Sequence, residues 1–332
     1  MDAWFRYRIY GLSIASTASL TGLTEAAYPG IVPDVQLRFA ERHSIPGDFK
    51  TLLSGQWIPH PSYPPDNQPQ VLFSPDDGAI GLRYRSGVDF VLAADGSKIW
   101  ALRSPPLSHE YALVYLLNPV LGFALRLHQQ ACLHASGFLV DDHVVLLCGA
   151  SGMGKSTTAG YFAGQGHTVI TDDIAVIKNA ANAHGNGFVV MPGYPLMRLY
   201  QKSAQAVVKT AGTLARIAPE WNKNYLNLQT DGYHFADTAA PLGVIYVIAG
   251  RAEEPRIEPL PPTHALMTLS QQGYPQMLLT AAWRADDFRF FAAVAAAIPV
   301  RRLILPDRFE QLPDLYEVLR ADVANLMLSL PS

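Results

Sequence analysis

The sequence predicts an α/β protein whose N-terminal third is a mostly β module. Two observations predict the α/β part: a strand-like apolar run, His143 to Cys148, leads directly into a glycine-rich loop, and a helical pattern and a second buried strand follow it. A third observation is that short β-like runs alternate with turn residues over the first hundred residues. The chain has 332 residues, of which 49% are hydrophobic, so it can bury one large core or two ordinary ones. We expect a β module over 1–105 and an α/β domain over 106–332.

Five segments of the β module have the composition of strands. Turn residues such as Asp76-Asp77-Gly78 separate them. The predicted strands are Val35 to Phe39, Gln70 to Phe73, Ala79 to Tyr84, Phe90 to Ala93 and Lys98 to Leu102.

The α/β domain is predicted to begin with helices. From Ser108 to Gln130 apolar residues recur at helical spacing, and we expect Pro119 to divide this segment into two helices. Two strands are predicted next, Ala135 to Val140 and His143 to Cys148, joined by the turn pair Asp141-Asp142.

After the glycine-rich loop, the pattern predicts a helix over Lys155 to Gly164 and a buried strand, Thr168 to Thr171, that stops at Asp172-Asp173. In this order of strand, loop, helix and strand, ligands bind at the carboxyl ends of the strands. Three further elements are predicted toward the C-terminus: a strand over Pro241 to Ala249 and amphipathic helices over Arg284 to Ala297 and Leu312 to Leu326.

Charge and hydropathy exclude several classes of partner. The formal net charge is −3 and no Lys/Arg-rich run occurs, which argues against nucleic acid. Apolar runs such as Phe290 to Val300 fall short of the roughly 18 residues that span a bilayer, so no membrane helix is expected. An acid at Asp2 and the basic Arg6 and Arg8 do not fit a signal peptide, which predicts a cytoplasmic protein. A charged fraction of 16% is low, and it favours self-association or a partner that covers apolar surface.

The chain contains two cysteines, Cys132 and Cys148, and both lie in apolar stretches. We expect two reduced, buried thiols and no disulfide framework or metal–thiolate cluster.

The glycine-rich loop satisfies the pattern G-x-x-x-x-G-K-[ST] in full and lies between a predicted strand and a predicted helix. Glycines permit the backbone to turn successive N–H groups toward phosphates, Lys155 neutralises β/γ charge, and Ser156 offers a hydroxyl to Mg²⁺. The alternative is a glycine-rich turn with a chance lysine. The residues expected to bind the nucleotide are Gly149, Ala150, Ser151, Gly152, Met153, Gly154, Lys155, Ser156 and Thr157.

Two adjacent acids end the strand after the loop helix. At this place one carboxylate can hold Mg²⁺ or its waters, and a second can take the proton of an attacking hydroxyl. Because side chains alternate along an extended chain, Asp172 and Asp173 are not expected to do the same job. The structural alternative is a pair of residues that caps the next turn.

Three further polar residues are candidates for the site. His134 lies just before the strand at Ala135, where a lone histidine is more often structural than catalytic. Arg198 and Lys223 can neutralise phosphate charge from the segment after the acidic pair, or they are solvated surface charges.

Together these segments resemble the C-terminal kinase domain of bacterial HPr kinase/phosphorylase and its HPr-kinase-like relatives, some of which belong to lasso-peptide and other peptide-modification clusters. The resemblance covers about forty residues and is carried by Leu133-His134-Ala135-Ser136-Gly137, the loop from Gly149 to Ser156, Gly166-His167 and Thr171-Asp172-Asp173. It implies a P-loop kinase core of the HPr kinase and PEP carboxykinase type, with ATP and Mg²⁺ as cofactors. It also implies that Asp173 is the general base, that Ser156 binds magnesium and that His134 is a site residue.

This chain also departs from the family pattern. Thr157 stands where HPr kinases have an acid, and Pro192-Gly193-Tyr194-Pro195 stands where they have a Glu-x-Arg-Gly signature. Their downstream arginine-containing loop has no clear equivalent before Pro241. These departures argue against HPr as the substrate and against the reverse phosphorylase reaction, and they favour the peptide-modifying branch.

The leading hypothesis is therefore an ATP- and Mg²⁺-dependent kinase of a serine hydroxyl, on a ribosomally made precursor peptide of the lasso-peptide type. One alternative is a kinase of a small hydroxylated metabolite such as free serine, which a closed pocket would favour over an open groove. The other is a nucleotide-dependent switch or scaffold with slow hydrolysis, which needs no hydroxyl-binding site beside Asp173.

Overall fold

A computed structural model describes residues 4–26, 31–42, 56–60, 70–180, 187–208, 214, 222–230, 232–275 and 281–328. The chain forms two compact units, Met1–Gln130 and Ala131–Ser332. The first is mostly β and the second combines helices with a large sheet, which confirms the general fold class that the sequence predicts.

The first unit contains an eight-stranded sheet. Its strands are β1 (Phe5–Ile9), β2 (Leu12–Ser16), β3 (Val35–Glu41), β4 (Ile58–Pro59), β5 (Gln70–Phe73), β6 (Ile80–Arg83), β7 (Val88–Leu92) and β8 (Lys98–Arg103). They lie in the order β1-β2-β3-β8-β7-β6-β5-β4, and only the β2–β3 and β3–β8 pairs are parallel. The five predicted strands are confirmed as β3, β5, β6, β7 and β8.

Two helices follow β8, α1 (His109–Tyr115) and α2 (Leu121–Leu127), and a π-helical turn over Leu116–Val120 joins them. The two helices that the sequence predicts are confirmed, and the turn that contains Pro119 joins them. A π-helical turn widens the backbone locally, which accommodates a residue that has no N–H to donate.

The helical segment packs within the first unit, although the sequence analysis groups it with the second domain. The Tyr115 ring in α1 lies 4.0 Å from the Tyr84 ring. After α2, Nε2 of His128 donates to the carbonyl of Gly96 at 3.2 Å, in the turn between β7 and β8. These contacts place the end of the first compact unit at Gln130 rather than near residue 105.

A ten-stranded sheet forms the centre of the second unit. Its strands are β9 (Cys132–Leu133), β10 (Ala135–Val140), β11 (His143–Cys148), β12 (Thr168–Thr171), β13 (Ala175–Asn179), β14 (Phe188–Met191), β17 (His234–Phe235), β18 (Ala240–Ala252), β19 (Arg256–Pro259) and β20 (Val300–Pro306). A separate two-stranded ribbon consists of β15 (Leu196–Tyr200) and β16 (Lys223–Asn227). The predicted bounds of β10, β11 and β12 are confirmed, and β18 contains the predicted strand 241–249. Asp141 and Asp142 both have positive φ, as the predicted tight turn between β10 and β11 requires.

Helices cover both faces of this sheet. They are α3 (Lys155–Gly164), α4 (Gln201–Val207), α5 (Pro262–Gln271), α6 (Ala281–Ala297) and α7 (Leu312–Leu328). Alternate residues of β11 enter two different cores: Leu147 packs in the core of α3 and α7, whereas Leu146 packs in the core of α5 and α6. The predicted helices at 155–164, 284–297 and 312–326 are therefore confirmed. No helix in the described ranges combines the length and hydropathy needed to cross a bilayer.

Both cysteines are buried and reduced, as predicted. Burial raises the pKa of the Cys148 thiol to about 12.

Strand direction brings several chain ends to one edge of the sheet. β10 is antiparallel to both β11 and β12, so β11 and β12 run the same way. β18 is parallel to β11, and β20 is parallel to β18. The carboxyl ends of β12, β11, β18 and β20 and the start of β10 therefore meet at this edge, in the order β12, β10, β11, β18, β20.

Candidate functional site

The glycine-rich loop connects the end of β11 to the start of α3, at the sheet edge just described. Gly152 has φ +81° and Gly154 has φ +114°, a region that L side chains rarely adopt. A Cβ at Gly154 would also lie 2.8 Å from Cδ1 of Leu305. The loop path therefore requires glycine at these positions, and it ends on the N-terminus of a helix, where the backbone favours an anion.

Lys155 is held over the loop. Its Nζ donates to the carbonyl of Gly149 at 2.7 Å and to that of Ala150 at 3.0 Å, and the residue is only 5% exposed. Burial lowers the pKa of Lys155, and the charge of Asp173 opposes that shift. The ammonium group thus lies where a phosphate cradled by the loop would meet it.

Asp172 lies behind the loop, where hydrogen bonds fix its side chain. Its carboxylate accepts hydrogen bonds from Oγ of Ser136 at 2.6 Å and from the backbone N–H of Arg198 at 3.1 Å. Burial raises the pKa of Asp172, the charge of Asp173 raises it further, and a hydrogen bond from the Ser156 hydroxyl opposes both. Ser156 and Asp172, the two residues predicted to hold magnesium, are therefore in direct contact.

Asp173 has a different environment from its neighbour. It lines an open cleft beside the loop and has φ +66°, a left-handed conformation that is uncommon for a residue other than glycine. Its backbone carbonyl accepts a hydrogen bond from Nδ1 of His134 at 2.8 Å. This contact holds the aspartate in its unusual backbone conformation.

His134 is a neutral, oriented ring. Since its Nδ1 donates to a carbonyl, its Nε2 is free of a proton in the neutral ring and can accept a hydrogen bond. The ring stacks on Tyr274 with centroids 5.8 Å apart. Burial lowers the pKa of His134, and the charge of Lys155 lowers it further.

The cleft brings most of the predicted site residues together. It is lined by His134, Ser151, Gly152, Gly154, Lys155, Ser156, Thr157, Asp173, Arg198 and Lys223. Asp172 is buried behind it, and Gly149, Ala150 and Met153 line a second cavity on the other side of the loop.

Arg198 and Lys223 reach the cleft from the β15–β16 ribbon, in which each faces an aromatic residue of the other strand. The Arg198 guanidinium lies 5.7 Å from the centroid of the Tyr225 ring, and Nζ of Lys223 lies 4.8 Å from that of Tyr200. Arg198 is buried, and Lys223 forms no ion pair with any residue in the described part of the chain. Both cations can therefore contribute positive charge to the cleft.

His167, the other histidine in the family resemblance, lies outside the cleft. Its Nδ1 donates to the carbonyl of Leu139 at 2.9 Å, and its Nε2 accepts from the hydroxyl of Tyr316 at 3.1 Å. It therefore joins the end of α3 to β10 and α7, which is a structural role.

Five residues that line the cleft were not identified from the sequence: Leu199, Tyr200, Ser203, Arg251 and Phe309. Ser203 accepts a hydrogen bond from Oγ1 of Thr157 at 2.8 Å, which joins α4 to the first turn of α3. Arg251 had a sequence signal, because it lies two residues after the strand predicted at 241–249, where ligand-binding residues are expected.

The residues fit a nucleotide with Mg²⁺. The loop and Lys155 suit phosphates, and the contact between Ser156 and Asp172 supplies two oxygen ligands of the kind Mg²⁺ takes. No group of three or more metal-binding side chains occurs among the described residues. Mg²⁺ is commonly bound by one or two protein oxygens together with phosphate oxygens, and this site matches that pattern.

Comparison with known proteins finds similarity among solved structures. No family model matches the sequence, and no curated protein matches it. Among solved structures, the chain is similar to the Hpr(Ser) kinase/phosphatase from Coxiella burnetii, with 11% sequence identity and a TM-score of 0.32, over 59% of this chain and 98% of that chain.

Proposed function

We propose that this protein is an ATP- and Mg²⁺-dependent kinase of the HPr-kinase-like type, which transfers the γ-phosphoryl group to a hydroxyl. One observation carries the proposal: a single cleft contains both the phosphate loop and Asp173, while the adjacent Asp172 is tied to Ser136 and Ser156 behind it. The loop binds the phosphates, and Asp173 offers a carboxylate to the acceptor hydroxyl.

The chain's residues have separate tasks in this reaction. Asp173 orients the acceptor hydroxyl and takes its proton as the oxygen–phosphorus bond forms and the bond to the β-phosphate oxygen breaks, which releases ADP. Lys155 stabilises the negative charge on the transferred group. His134 fixes the backbone of Asp173. Ser156 and Asp172 would hold Mg²⁺, which would supply further positive charge to the phosphates.

We further propose that the acceptor is a serine in a ribosomally made precursor peptide. The family resemblance of the sequence supports this choice. The rim of the cleft also supports it, because Tyr200 lines the cleft and is 46% exposed. An open rim suits an extended chain better than a small metabolite.

The proposal is tested by incubating the purified protein with Mg²⁺-ATP and serine-containing peptides, and by mass spectrometry of the products. We expect phosphoserine from the wild type and none from Lys155→Ala, because this substitution removes the cation that reaches the β- and γ-phosphates. Transfer to free serine but not to peptides would favour the metabolite kinase. ATP hydrolysis with no phosphorylated acceptor would favour the switch, and equal transfer by Lys155→Ala would exclude the assigned loop.

A further inference from the structure

The sheet edge gives the cleft two distinct ends. The phosphate loop follows β11, at the centre of the edge. On one side lie β10 and β12, which bring His134 and Asp173. On the other side lie β18 and β20, which bring Arg251 and Phe309 to the same cleft. The proposed general base, Asp173, occupies the acceptor side of the cleft. The ribose and nucleobase of a bound nucleotide are therefore left with the opposite side.

Arg251 combines a positive charge with unused hydrogen-bond donors. Its Nη1 donates to the carbonyl of Pro306 at 2.8 Å, and its Nη2 donates to the carbonyl of Met153 at 3.3 Å. The guanidinium also lies beside Gly154, since a Cβ placed there would be 3.2 Å from Nη2. Both partners are neutral carbonyls, and no described carboxylate pairs with this side chain. The remaining N–H donors of the guanidinium are available to an anion beside the loop.

Phe309 offers a flat apolar surface at this end of the cleft. It lies in the short 3₁₀ turn Phe309–Gln311 after β20, is 41% exposed and lines the cleft. Its ring contacts no other aromatic ring in the described ranges. An exposed phenylalanine in a polar cleft is suited to stacking against a flat ligand.

We propose that Arg251 and Phe309 form the half of the nucleotide site that lies toward the nucleobase. Phe309 stacks against the base of a nucleoside triphosphate, and Arg251 binds the phosphate nearest the ribose. The nucleotide then lies across the ends of β11, β18 and β20, with its γ-phosphate directed toward Asp173. The assignment rests on the proposed function in that it takes the ligand of the loop to be a nucleoside triphosphate.

The test compares two ligands by calorimetry, Mg²⁺-ATP and magnesium tripolyphosphate, which has no base. Phe309→Ala should weaken ATP binding about 5- to 100-fold, the usual effect of losing a base–aromatic stack, and should leave tripolyphosphate binding unchanged. Arg251→Met should weaken both ligands about 10- to 100-fold, and Arg251→Lys should recover part of that loss. Phe288→Ala and Arg256→Met are matched controls, since these residues are also exposed but lie outside the cleft. All variants are compared at equal folded fraction, set from their melting curves.

Unchanged ATP binding by Phe309→Ala, or equal losses of ATP and tripolyphosphate, would overturn the stacking role. Wild-type binding of both ligands by Arg251→Met would overturn the role of Arg251. The proposed function fails in a different way. A wild-type protein that shows the expected binding pattern but transfers no phosphoryl group overturns the kinase and supports the nucleotide site, whereas a wild type that binds neither ligand overturns both.

Discussion

Two neighbouring aspartates at the end of β12 are both buried but have different surroundings. Asp172 is buried and accepts hydrogen bonds from Ser136, Ser156 and the backbone of Arg198. Asp173 lines the cleft, and its left-handed backbone turns it away from the direction that its neighbour takes. One residue is therefore suited to a fixed magnesium shell and the other to contact with an acceptor.

This difference predicts that the two acids fail differently when each is changed to asparagine. Asp173→Asn should bind Mg²⁺-ATP nearly as well as wild type but lose about 10²- to 10⁴-fold in turnover, which is the usual effect of a positioned general base. Asp172→Asn should weaken apparent magnesium affinity, so its defect should shrink as Mg²⁺ is raised. A magnesium titration of phosphate transfer measures both. Rescue of Asp173→Asn by magnesium, without rescue of Asp172→Asn, would show that the roles are reversed.

The pKa of His134 leads to a second prediction, which concerns how the stability of the folded protein depends on pH. Burial and the charges of Lys155 and Lys223 lower its pKa below 6.5, and interactions with Asp173 oppose the shift only in part. As the pH falls below 6.5, the unfolded chain therefore takes up a proton before the folded protein does. The stability contributed by the neutral ring is fully present above pH 6.5 and is lost below it.

The measurement compares melting temperatures of wild type and His134→Asn at pH 7.5 and pH 5.5. Asparagine keeps an N–H donor near the Nδ1 position but does not titrate in this range. The advantage of the wild type over the variant should be smaller at pH 5.5. Titration of other groups affects both proteins alike, so an equal or larger advantage at pH 5.5 would contradict the assigned pKa shift of His134.

At the scale of elements, α7 is joined to the sheet by a partly buried polar link. The hydroxyl of Tyr246, in β18, donates to Oδ2 of Asp322 at 2.6 Å, and Arg301, in β20, pairs with the other carboxylate oxygen. Tyr246 is fully buried, and burial raises the pKa of its hydroxyl, as does the hydrogen bond to Asp322. One helix residue thus connects two neighbouring parallel strands.

Removing this link should lower the free energy of unfolding. We expect Asp322→Ala to cost about 2–3 kcal/mol, because the Tyr246 hydroxyl loses a charged acceptor and stays buried. Tyr246→Phe should cost less, and the double variant should cost less than the sum of the two, since both single changes remove the same hydrogen bond. Chemical denaturation measures all three, with the exposed Glu317→Ala on the same helix as control. Additive effects would show that the hydroxyl and carboxylate do not interact.

Local pattern predicted some of these elements well. β10, β11, α3 and β12 are contiguous, and their apolar runs and the glycines of the loop define their ends without help from the rest of the fold. β20 was missed because its apolar residues follow directly on those of α6, with only Pro299 to mark the break. Pro119 divides the segment into two helices as predicted, and the sequence did not indicate that a π-helical turn joins them.

The parts of the site that were predicted lie in local sequence patterns, and the parts that were missed depend on the rest of the fold. The loop, Asp173 and His134 lie in short segments whose residue order carries the chemistry. Arg251 and Phe309 join the cleft only because β18 and β20 lie beside β11, and that strand order is not written in any local segment. The proposed nucleobase half of the site therefore could not be predicted from local sequence, because it depends on which strands pair.

At the scale of the whole molecule, all the described residues that line the cleft belong to the unit Ala131–Ser332. This unit also has two hydrophobic cores of its own, one on each face of its sheet. The first unit has its own sheet and keeps α1 and α2 packed within it through Tyr84 and Tyr115. A compact unit with its own core is expected to fold independently.

This organisation predicts that two fragments will behave differently. A fragment of residues 131–332 should fold cooperatively and bind Mg²⁺-ATP with an affinity close to that of the full chain. A fragment of residues 106–332 retains α1 and α2 but lacks Tyr84 and β8. Tyr115 then loses its ring contact, and buried residues of α1 such as Leu113 and Val114 lose the rest of the first unit. Exposed apolar surface of this kind promotes association, so this longer fragment should aggregate or form oligomers. Size-exclusion chromatography, thermal melting and calorimetry compare the two. A soluble, monomeric 106–332 beside an unfolded 131–332 would show that the helices belong with the second unit.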